Sequence, residues 1–330
     1  MVMLHDVIFF LLGLGLVIAG GNYVTDGASA IARYFKLSSL LIGVTVVAFG
    51  SSMPDLVVCL SSTLKGHSEL ALGDIVGSNI IDILLAIGVI AAIRPIAVTG
   101  LTRGFDMPML ALSSLALFFC GDDILLDGAA RNIIDRTDGL MLLSIFIIFM
   151  ALSIYLNMNC PVDLKPQPRQ QAKPSPKPDN RILLPIAMVA GGLTALVVGG
   201  NWFVDGASGI AEKAGISEGL IGLTIVSLGG AAPDIVTSVI ATLKNEQGIA
   251  IGNILGACIF NAFFILGTCA VISPLNVAEI KPIDFGTLAL AGVAVWLISA
   301  FRKQIGRGAG VMLILAYAAY LTKLIIDFLK

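Results

Sequence analysis

Long apolar segments alternate with short polar ones along almost the whole chain. Ten apolar segments approach the roughly 18 to 25 residues that a helix needs to cross a bilayer. The predicted helices cover residues 5–32, 38–64, 70–93, 104–120, 134–156, 182–211, 217–243, 249–272, 283–301 and 306–328. The pattern therefore predicts an all-α polytopic membrane protein with five spans in each half of the chain.

The two halves repeat each other. The segment GSSMPDLVVCLSSTLK at 50–65 matches GGAAPDIVTSVIATLK at 229–244, and a constant shift of 179 positions also carries Gly73 onto Gly252 and Pro95 onto Pro274. Because each half has an odd number of spans, the second half must enter the membrane inverted. We therefore expect a first repeat at 1–156, a linker at 157–181 and a second repeat at 182–330.

The linker and the basic residues predict an orientation. Residues 157–181 hold six of the 13 prolines together with five basic residues, a composition that resists helix formation and membrane insertion. The linker side of the predicted topology collects 13 of the 20 Lys and Arg residues, against seven on the other side. The positive-inside rule then places the linker in the cytoplasm and both termini outside.

Composition supports a bilayer environment and excludes other classes of protein. Hydrophobic residues make up 57% of the chain, charged residues 13%, and the mean hydropathy is +0.96, whereas soluble domains carry about 25% charge. A net charge of −2 and the absence of a basic run give no indication of nucleic-acid binding. The five cysteines have no CxxC or Cys/His spacing, so neither a disulfide framework nor a zinc site is predicted.

Candidate chemistry begins where a Gly/Pro segment interrupts two of the predicted helices. In the second helix Pro54 precedes Asp55, with Ser51 and Ser52 on the preceding turn. Proline removes a backbone donor, so carbonyl oxygens become available in the middle of the membrane. The seventh helix is expected to repeat this break at residues 229–233 and to supply Asp234.

Two further helices carry polar stripes with a spacing of four residues. In the third helix the stripe is Asp74, Ser78 and Asp82, and the equivalent positions of the eighth helix are Asn253, Ala257 and Asn261. A carboxylate at the bilayer centre costs about 2.5–3.5 kcal/mol on insertion scales, so several such acids need a cation or a proton. Carboxylate, carbonyl, hydroxyl and amide oxygens suit Ca²⁺ and Na⁺, and no resident cofactor is predicted.

The motifs resemble those of a known family. The pairs GSSMPD…GDIVGSNIID and GGAAPD…GNILGACIFN are similar to the two alpha repeats of the calcium/cation antiporter superfamily, which includes the sodium/calcium exchangers. Their usual form is close to GTSLPE…GNxxGSNIxN. The segment DGAARNIIDRTDG at 127–139 also resembles the bacterial ten-helix branch. The resemblance covers nearly the whole chain.

The resemblance implies a secondary active antiporter of the inner membrane that exchanges Ca²⁺ for Na⁺ by alternating access, with one chain as the transport unit. By carry-over, Asp55 and Asp234 would form the central divalent site. The flanking monovalent sites would be formed by Ser51, Ser52, Ser78, Asp82 and Asn261. Both signature acids are aspartate where most exchangers have glutamate, and Gly230, Ala231 and Ala257 lack the usual hydroxyls. These departures leave exchange of another cation, or exchange for protons, open.

Several of these polar residues also allow other interpretations. Asp82 and Asn261 could be interhelical hydrogen-bond partners, and Asp74 could cap a helix start. Asp26 and Asp205 favour interfacial caps, and the acids of the outer loops favour a solvated surface; these are Asp122, Asp123, Asp127, Asp135 and Asp138. Two intramembrane aspartates could also form an aspartyl protease dyad, or line a passive channel. The duplication of the whole motif favours alternating access.

Overall fold

Helices form nearly all of the secondary structure in the computed structural model, which describes residues 2–35, 37–64, 66, 68–121, 132–159, 182–213, 227–277, 280 and 282–328. The helices are α1 (Val2–Phe35), α2 (Ser39–Ser51), α3 (Met53–Leu64), α4 (68–93), α5 (Thr102–Gly121), α6 (Arg136–Asn159), α7 (Leu183–Lys213), α8 (Ser227–Leu243), α9 (Gln247–Ile272), α10 (Pro282–Phe301) and α11 (Arg307–Phe328). The all-α class predicted from hydropathy is confirmed.

The helices agree with the predicted spans. Eight of the helices in the described part of the chain are long and apolar enough to cross a membrane, and the bent pair α2 and α3 gives a ninth if it is taken as one span. The tenth predicted span corresponds to α8, which is shorter over the described residues because the positions before Ser227 lie outside them. Most of the predicted linker, from residue 160 to 181, also lies outside the described residues.

The centre of the helix bundle is formed by α4 and α9, whose side chains are mostly buried. The helices α1, α6, α7 and α11 surround them and point many large apolar side chains outward, for example Leu11, Ile147 and Met312. An apolar outer surface is what a hydrocarbon solvent requires. The most enclosed helices are therefore those that carry the polar stripes.

Only one of the two Gly/Pro segments breaks its helix. Ser52 leaves the helical conformation with φ −87° and ψ 2°, and α2 and α3 meet there at 43°. In the second half, α8 continues from Ser227 to Leu243 with Pro233 inside it. The expected break at 229–233 is therefore wrong for the described residues, in which α8 continues through the proline.

Four short strands join the halves at two faces of the bundle. They are β1 (Ile96–Ala97), β2 (Ile133–Ile134), β3 (Leu275–Asn276) and β4 (Gln304–Ile305). β1 pairs antiparallel with β4, and β2 with β3, so each ribbon takes one strand from each half. Ile96 and Leu275 are related by the shift of 179 positions. We call the two ends of the bundle the β1/β4 face and the β2/β3 face.

Helices α1 and α7 approach each other closely through glycines. A Cβ at Gly20 would lie 2.7 Å from the carbonyl oxygen of Gly192, and a Cβ at Gly192 would lie 2.8 Å from that of Gly20. Gly13 and Gly199 meet in the same way. Small residues let helix backbones come together where lipid provides no hydrophobic driving force.

This packing predicts that Gly20→Ala destabilises the protein. The new methyl group meets backbone atoms of α7, which cannot rotate away, so α1 and α7 must separate. Overpacking of this kind costs about 1–3 kcal/mol. We expect a lower melting temperature in detergent by tryptophan fluorescence. The matched control is Gly15→Ala on the same helix, where nothing lies within 4 Å of a new Cβ; an equal loss in both variants would contradict the packing account.

Two acids expected to cap helices do not do so. Asp26 lies within α1, which continues to Phe35, and its Oδ1 accepts a hydrogen bond from Lys244 Nζ at 2.8 Å. Asp205 lies exposed within α7, which continues to Lys213. The cap interpretation is wrong for both, because each helix extends about two turns beyond its Asp-Gly-Ala-Ser segment. The Asp26–Lys244 pair instead joins the two halves at the β1/β4 face.

Asp135, which follows β2 at the β2/β3 face, caps α6. Its Oδ1 accepts hydrogen bonds from Thr137 N at 2.7 Å, Thr137 Oγ1 at 2.6 Å and Asp138 N at 3.0 Å, while Asp138 Oδ2 accepts from Asp135 N. The hydrogen bonds from Thr137 lower the pKa of Asp135. Asp135 and Asp138 therefore form a reciprocal cap at the start of α6. The acids Asp122, Asp123 and Asp127 lie outside the described residues.

Candidate functional site

The predicted site residues come from five helices that meet in the middle of the bundle. Asp55, Asp82 and Asp234 are almost completely buried, with exposures of 5%, 0% and 2%. Electrostatic interactions connect the three carboxylates. Buried like charges are unfavourable unless a counterion or a proton neutralises them. The fold therefore brings the acids of both halves together, as the duplicated motif predicts.

Asn253 of α9 organises the second-half side of the site. Its Nδ2 donates to Asp234 Oδ1 at 3.0 Å and to Ser238 Oγ at 3.2 Å. Its Oδ1 lies 3.2 Å from Ser51 Oγ, which also lies 3.0 Å from Val47 O. One amide thus links the broken helix of the first half to the signature acid of the second half.

Asn261, two turns further along α9, organises the first-half side. Its Nδ2 lies 3.3 Å from Asp55 Oδ2, 3.4 Å from Ser78 Oγ and 3.5 Å from Asn79 Oδ1. Asn79 Nδ2 in turn donates to Cys258 O at 3.3 Å. Each signature aspartate therefore accepts a hydrogen bond from an asparagine of α9. Asn261 makes interhelical hydrogen bonds, and the same contacts place it against Asp55.

Several oxygen atoms in the site have no hydrogen-bond donor within the described part of the chain. They are Ser52 Oγ, both carboxylate oxygens of Asp82 and Asn261 Oδ1. A buried acceptor without a donor is costly, so an oxygen-lined space of this kind favours a bound cation. The described part of the chain contains no group of three or more His, Cys, Asp or Glu residues that could hold a metal ion. Hydroxyls and amides must therefore complete the ligand set, and these hard oxygens fit Ca²⁺ and Na⁺.

The helices at Asp82 and Asn261 are locally wider than an α-helix. π-helical turns run over Ile81–Ala86 and Phe260–Ile265, positions related by the shift of 179. Each turn ends with an i+5 hydrogen bond, from Ile87 N to Asp82 O and from Leu266 N to Asn261 O. π-turns occur frequently at functional sites because they displace a side chain from the regular helical register. Hydropathy does not reveal them.

Asn253 is the functional candidate that the sequence-based site left out. The shift of 179 positions between the repeats pairs Asn253 with Asp74 of the polar stripe, and this pairing is the signal that could have identified it. Asp74 does not cap a helix start, since it is the seventh residue of the helix that begins at Ser68. Its position next to the site therefore needs a different explanation.

A large apolar cavity beside the helix break is separate from this polar site. It has a volume of ≈ 740 Å³ and lies between α2, α6 and α7. Thr45 and Thr194, the two hydroxyl residues that line it, bond to carbonyls of their own helices. The described residues that line the cavity are therefore mostly apolar, unlike the oxygen-rich site that holds the aspartates.

The four cysteines that the structure describes support the prediction that they are apolar packing residues. All of them are free and buried; they are Cys59, Cys120, Cys258 and Cys269. Cys160 lies outside the described residues. The described cysteines therefore contribute to helix packing.

A model of the family described as "Sodium/calcium exchanger protein" matches residues 5–155 and 184–326, which are nearly all of both halves. The chain belongs to this family. Its members are transporters and not enzymes, so the protease alternative is wrong. Secondary antiport of cations without a cofactor is the activity of this family.

Relatives in sequence and solved structures are similar to this chain over nearly its full length. The chain is 34% identical to a putative antiporter, CaxA, of Alkalimonas amylolytica over 96% of its own length and 98% of that protein. It is 27% identical to the sodium/calcium exchanger MaX1 of Methanosarcina acetivorans, over 96% and 97%. Its fold is similar to that of the sodium-calcium exchanger NCX_Mj, with a TM-score of 0.80, 26% identity and coverage of 96% and 97%.

Proposed function

We propose that the protein exchanges Ca²⁺ for Na⁺ across the inner membrane by alternating access. The observation that carries this proposal is the buried pair of signature aspartates, one from each inverted half, each bonded to an asparagine of α9. Two carboxylates and neighbouring neutral oxygens suit a divalent cation with hard-ligand preferences. Membership of the sodium/calcium exchanger family supports the choice of ions.

In the proposed cycle Asp55 and Asp234 are the central ligands of Ca²⁺. Na⁺ occupies flanking positions formed by Ser51, Ser52, Ser78, Asp82 and Asn261. The two sets lie side by side in one buried region of negative charge, so Ca²⁺ and Na⁺ compete for it and the protein carries either load. Because the site lies between inverted repeats, rocking one half against the other exposes it alternately to the two faces. Competition at a shared site is what couples the fluxes.

The direct test is Ca²⁺ uptake into proteoliposomes with one cation gradient imposed at a time. We expect uptake when Na⁺ is inside and absent outside, and little uptake under a K⁺ gradient. Uptake that follows only a pH gradient would reject Na⁺ coupling. Proton coupling is the second candidate, and it is favoured by Asp82, a fully buried carboxylate without a donor in the described residues.

The proposed unit is a single chain with repeats at 1–156 and 182–330 and a cytoplasmic linker at 157–181. The alternation of helices between the β1/β4 and β2/β3 faces supports this arrangement, because α6 ends and α7 begins at the face where β1 and β4 lie. The basic excess of 13 to seven supports the assignment of that face to the cytoplasm.

Cysteine labelling tests the orientation. The four described cysteines are buried, so replacing them leaves Cys160 in the linker as a single probe. We expect no reaction with an impermeant maleimide in intact cells and full reaction after permeabilisation. As a control, a cysteine placed at the exposed Arg136 beside β2, in a background without native cysteines, should react in intact cells. Labelling of Cys160 from outside would reverse the topology.

A further inference from the structure

The two halves of the site match in position but differ in chemistry at one place. In the second half, Asn253 bonds to Asp234, to Ser238 and to Ser51 of the other half. The shift of 179 positions converts these four residues into Asp74, Asp55, Cys59 and Gly230. The hydrogen-bonding amide of one half is thus replaced by a carboxylate in the other half.

Asp74 keeps the geometry of this arrangement. Its Oδ2 lies 3.9 Å from Cys59 Sγ, as Asn253 lies against Ser238, and its Oδ1 lies 3.7 Å from where a Cβ of Gly230 would be. Its charge interacts with that of Asp55. Each partner of Asn253 therefore has a counterpart near Asp74. Asp74 accepts a weak hydrogen bond from Cys59 Sγ, but it lacks the amide hydrogens that Asn253 donates to Asp234 and Ser238.

An amide donates two hydrogens and so stabilises a neighbouring carboxylate, whereas an ionised carboxylate only accepts. Asp74 beside Asp55 therefore leaves two repelling negative charges where the other half has a hydrogen bond. The ion pairs between described residues involve other acids, Asp6, Asp26 and Glu246, and do not include Asp74. A cation between Asp55 and Asp74 would replace the missing donor.

The surroundings leave space for such a cation. Gly230 has no hydroxyl where its partner Ser51 has one, and beyond its own stretch of α8 the described atom that its would-be Cβ meets within 4 Å is Asp74 Oδ1, at 3.7 Å. Asn261, whose Nδ2 bonds Asp55, keeps a buried Oδ1 without a donor in the described residues. Asp74 itself is only half-buried, unlike Asp55 and Asp234. Water can therefore complete the coordination of an ion held there.

The position of Asp74 along α4 places the space for the ion toward the β2/β3 face. Asp74 is the seventh residue of a helix that starts at Ser68, about 9 Å along the axis at 1.5 Å per residue. The other end of α4 leads into β1, so Asp74 lies on the β2/β3 side of the central site. An ion entering from that face would meet Asp74 before Asp55.

We propose that Asp74 and Asp55 form an additional Na⁺ subsite at the β2/β3 entrance of the central site. This inference rests on the proposed Na⁺/Ca²⁺ exchange. Asp74 adds one negative charge that Asn253 does not add in the other half, so the Na⁺-loaded state holds one more Na⁺ than a chain with asparagine at position 74. Gly230 contributes the room for the ion.

The test is the number of Na⁺ exchanged per Ca²⁺ in the wild type and in Asp74→Asn. In voltage-clamped proteoliposomes, the Na⁺ gradient at which net Ca²⁺ flux vanishes gives this ratio. We expect Asp74→Asn to exchange Ca²⁺ still, with one Na⁺ fewer per cycle. Asp205→Asn, which removes an exposed carboxylate on α7, should keep the wild-type ratio.

Gly230→Ala tests the same subsite without removing a carboxylate. Among the described residues outside its own helix, the new Cβ meets nothing closer than Asp74 Oδ1 at 3.7 Å, so the protein should fold, while the methyl group fills the space for the ion. We expect the Na⁺ concentration for half-maximal exchange to rise about fivefold or more. The Ca²⁺ concentration for half-maximal exchange should change by less than about twofold. If Asp74→Asn does not fold, this variant decides.

Three results would overturn the inference. The first is an unchanged Na⁺ ratio in Asp74→Asn together with unchanged Na⁺ affinity in Gly230→Ala. The second is that Asp74→Asn loses a proton flux, measured with a pH-sensitive dye, while its ratio of Na⁺ to Ca²⁺ stays unchanged. A proton would then occupy the place assigned to Na⁺. In both cases the exchange itself stands. Absence of Na⁺-driven Ca²⁺ flux in the wild type would instead overturn the proposed function and this inference together.

Discussion

Asp55→Asn and Asp234→Asn are each expected to abolish Ca²⁺ exchange in a protein that still folds. Each change removes one charged ligand while it keeps the size of the side chain and an oxygen for the hydrogen bond from Asn261 or Asn253. Removing one partner of a buried pair of opposite charges, here the carboxylate that binds Ca²⁺, costs about 3–5 kcal/mol. A loss of that size in binding free energy corresponds to more than about 100-fold in affinity. An amide cannot replace that attraction for a divalent cation.

The measurement is Na⁺-gradient-driven uptake of radiolabelled Ca²⁺ by equal amounts of reconstituted protein. Asp26→Asn is the matched control, because it removes a carboxylate that pairs with Lys244 at the β1/β4 face, away from the site. Size-exclusion chromatography establishes that the variants remain folded. Uptake close to that of the wild type in both site variants would contradict the assignment of Asp55 and Asp234.

Asn253→Leu is expected to reduce exchange by about tenfold or more. Leucine fills a similar volume but leaves Asp234 Oδ1 and Ser238 Oγ without the donor they share, and Ser51 Oγ without one of its acceptors. Leaving buried polar groups unsatisfied costs about 1–3 kcal/mol, and about 1.4 kcal/mol corresponds to tenfold. The loss should appear in Ca²⁺ affinity and in thermal stability together.

Asn22→Leu is the control for this variant. Its side-chain amide donates only to Ile18 O of its own helix, and its bond to Lys244 uses the backbone carbonyl. Its exchange rate and its melting temperature should stay close to those of the wild type. If Asn253→Leu also exchanges Ca²⁺ at the wild-type rate, the hydrogen bonds of Asn253 do not support the site.

The spans and the signature acids could be predicted from the sequence because both are local patterns. Hydropathy over one helix length identifies a span, and a Pro-Asp pair that recurs at a shift of 179 positions identifies Asp55 and Asp234. The register of the repeat also predicted which residues of α4 and α9 are equivalent. Local rules of this kind need no knowledge of which helices touch.

The rest depends on tertiary contacts, which a single sequence does not reveal. Pro233 predicted a break, but α8 is continuous over Ser227–Leu243. Asn253 looked like the neutral partner of Asp74, and only the fold places its amide between Asp234 and Ser51. The π-turns at Asp82 and Asn261 were not predicted either, because hydropathy over these segments is the same for an α-helix and a π-turn.

Equilibrium binding of Ca²⁺ to the purified protein tests the central claim most directly. The account predicts saturable Ca²⁺ binding that Na⁺ displaces competitively and that is lost in both Asp55→Asn and Asp234→Asn, because both halves supply the charge of one shared site. Ca²⁺ binding that persists in either variant, or that is insensitive to Na⁺, would contradict it.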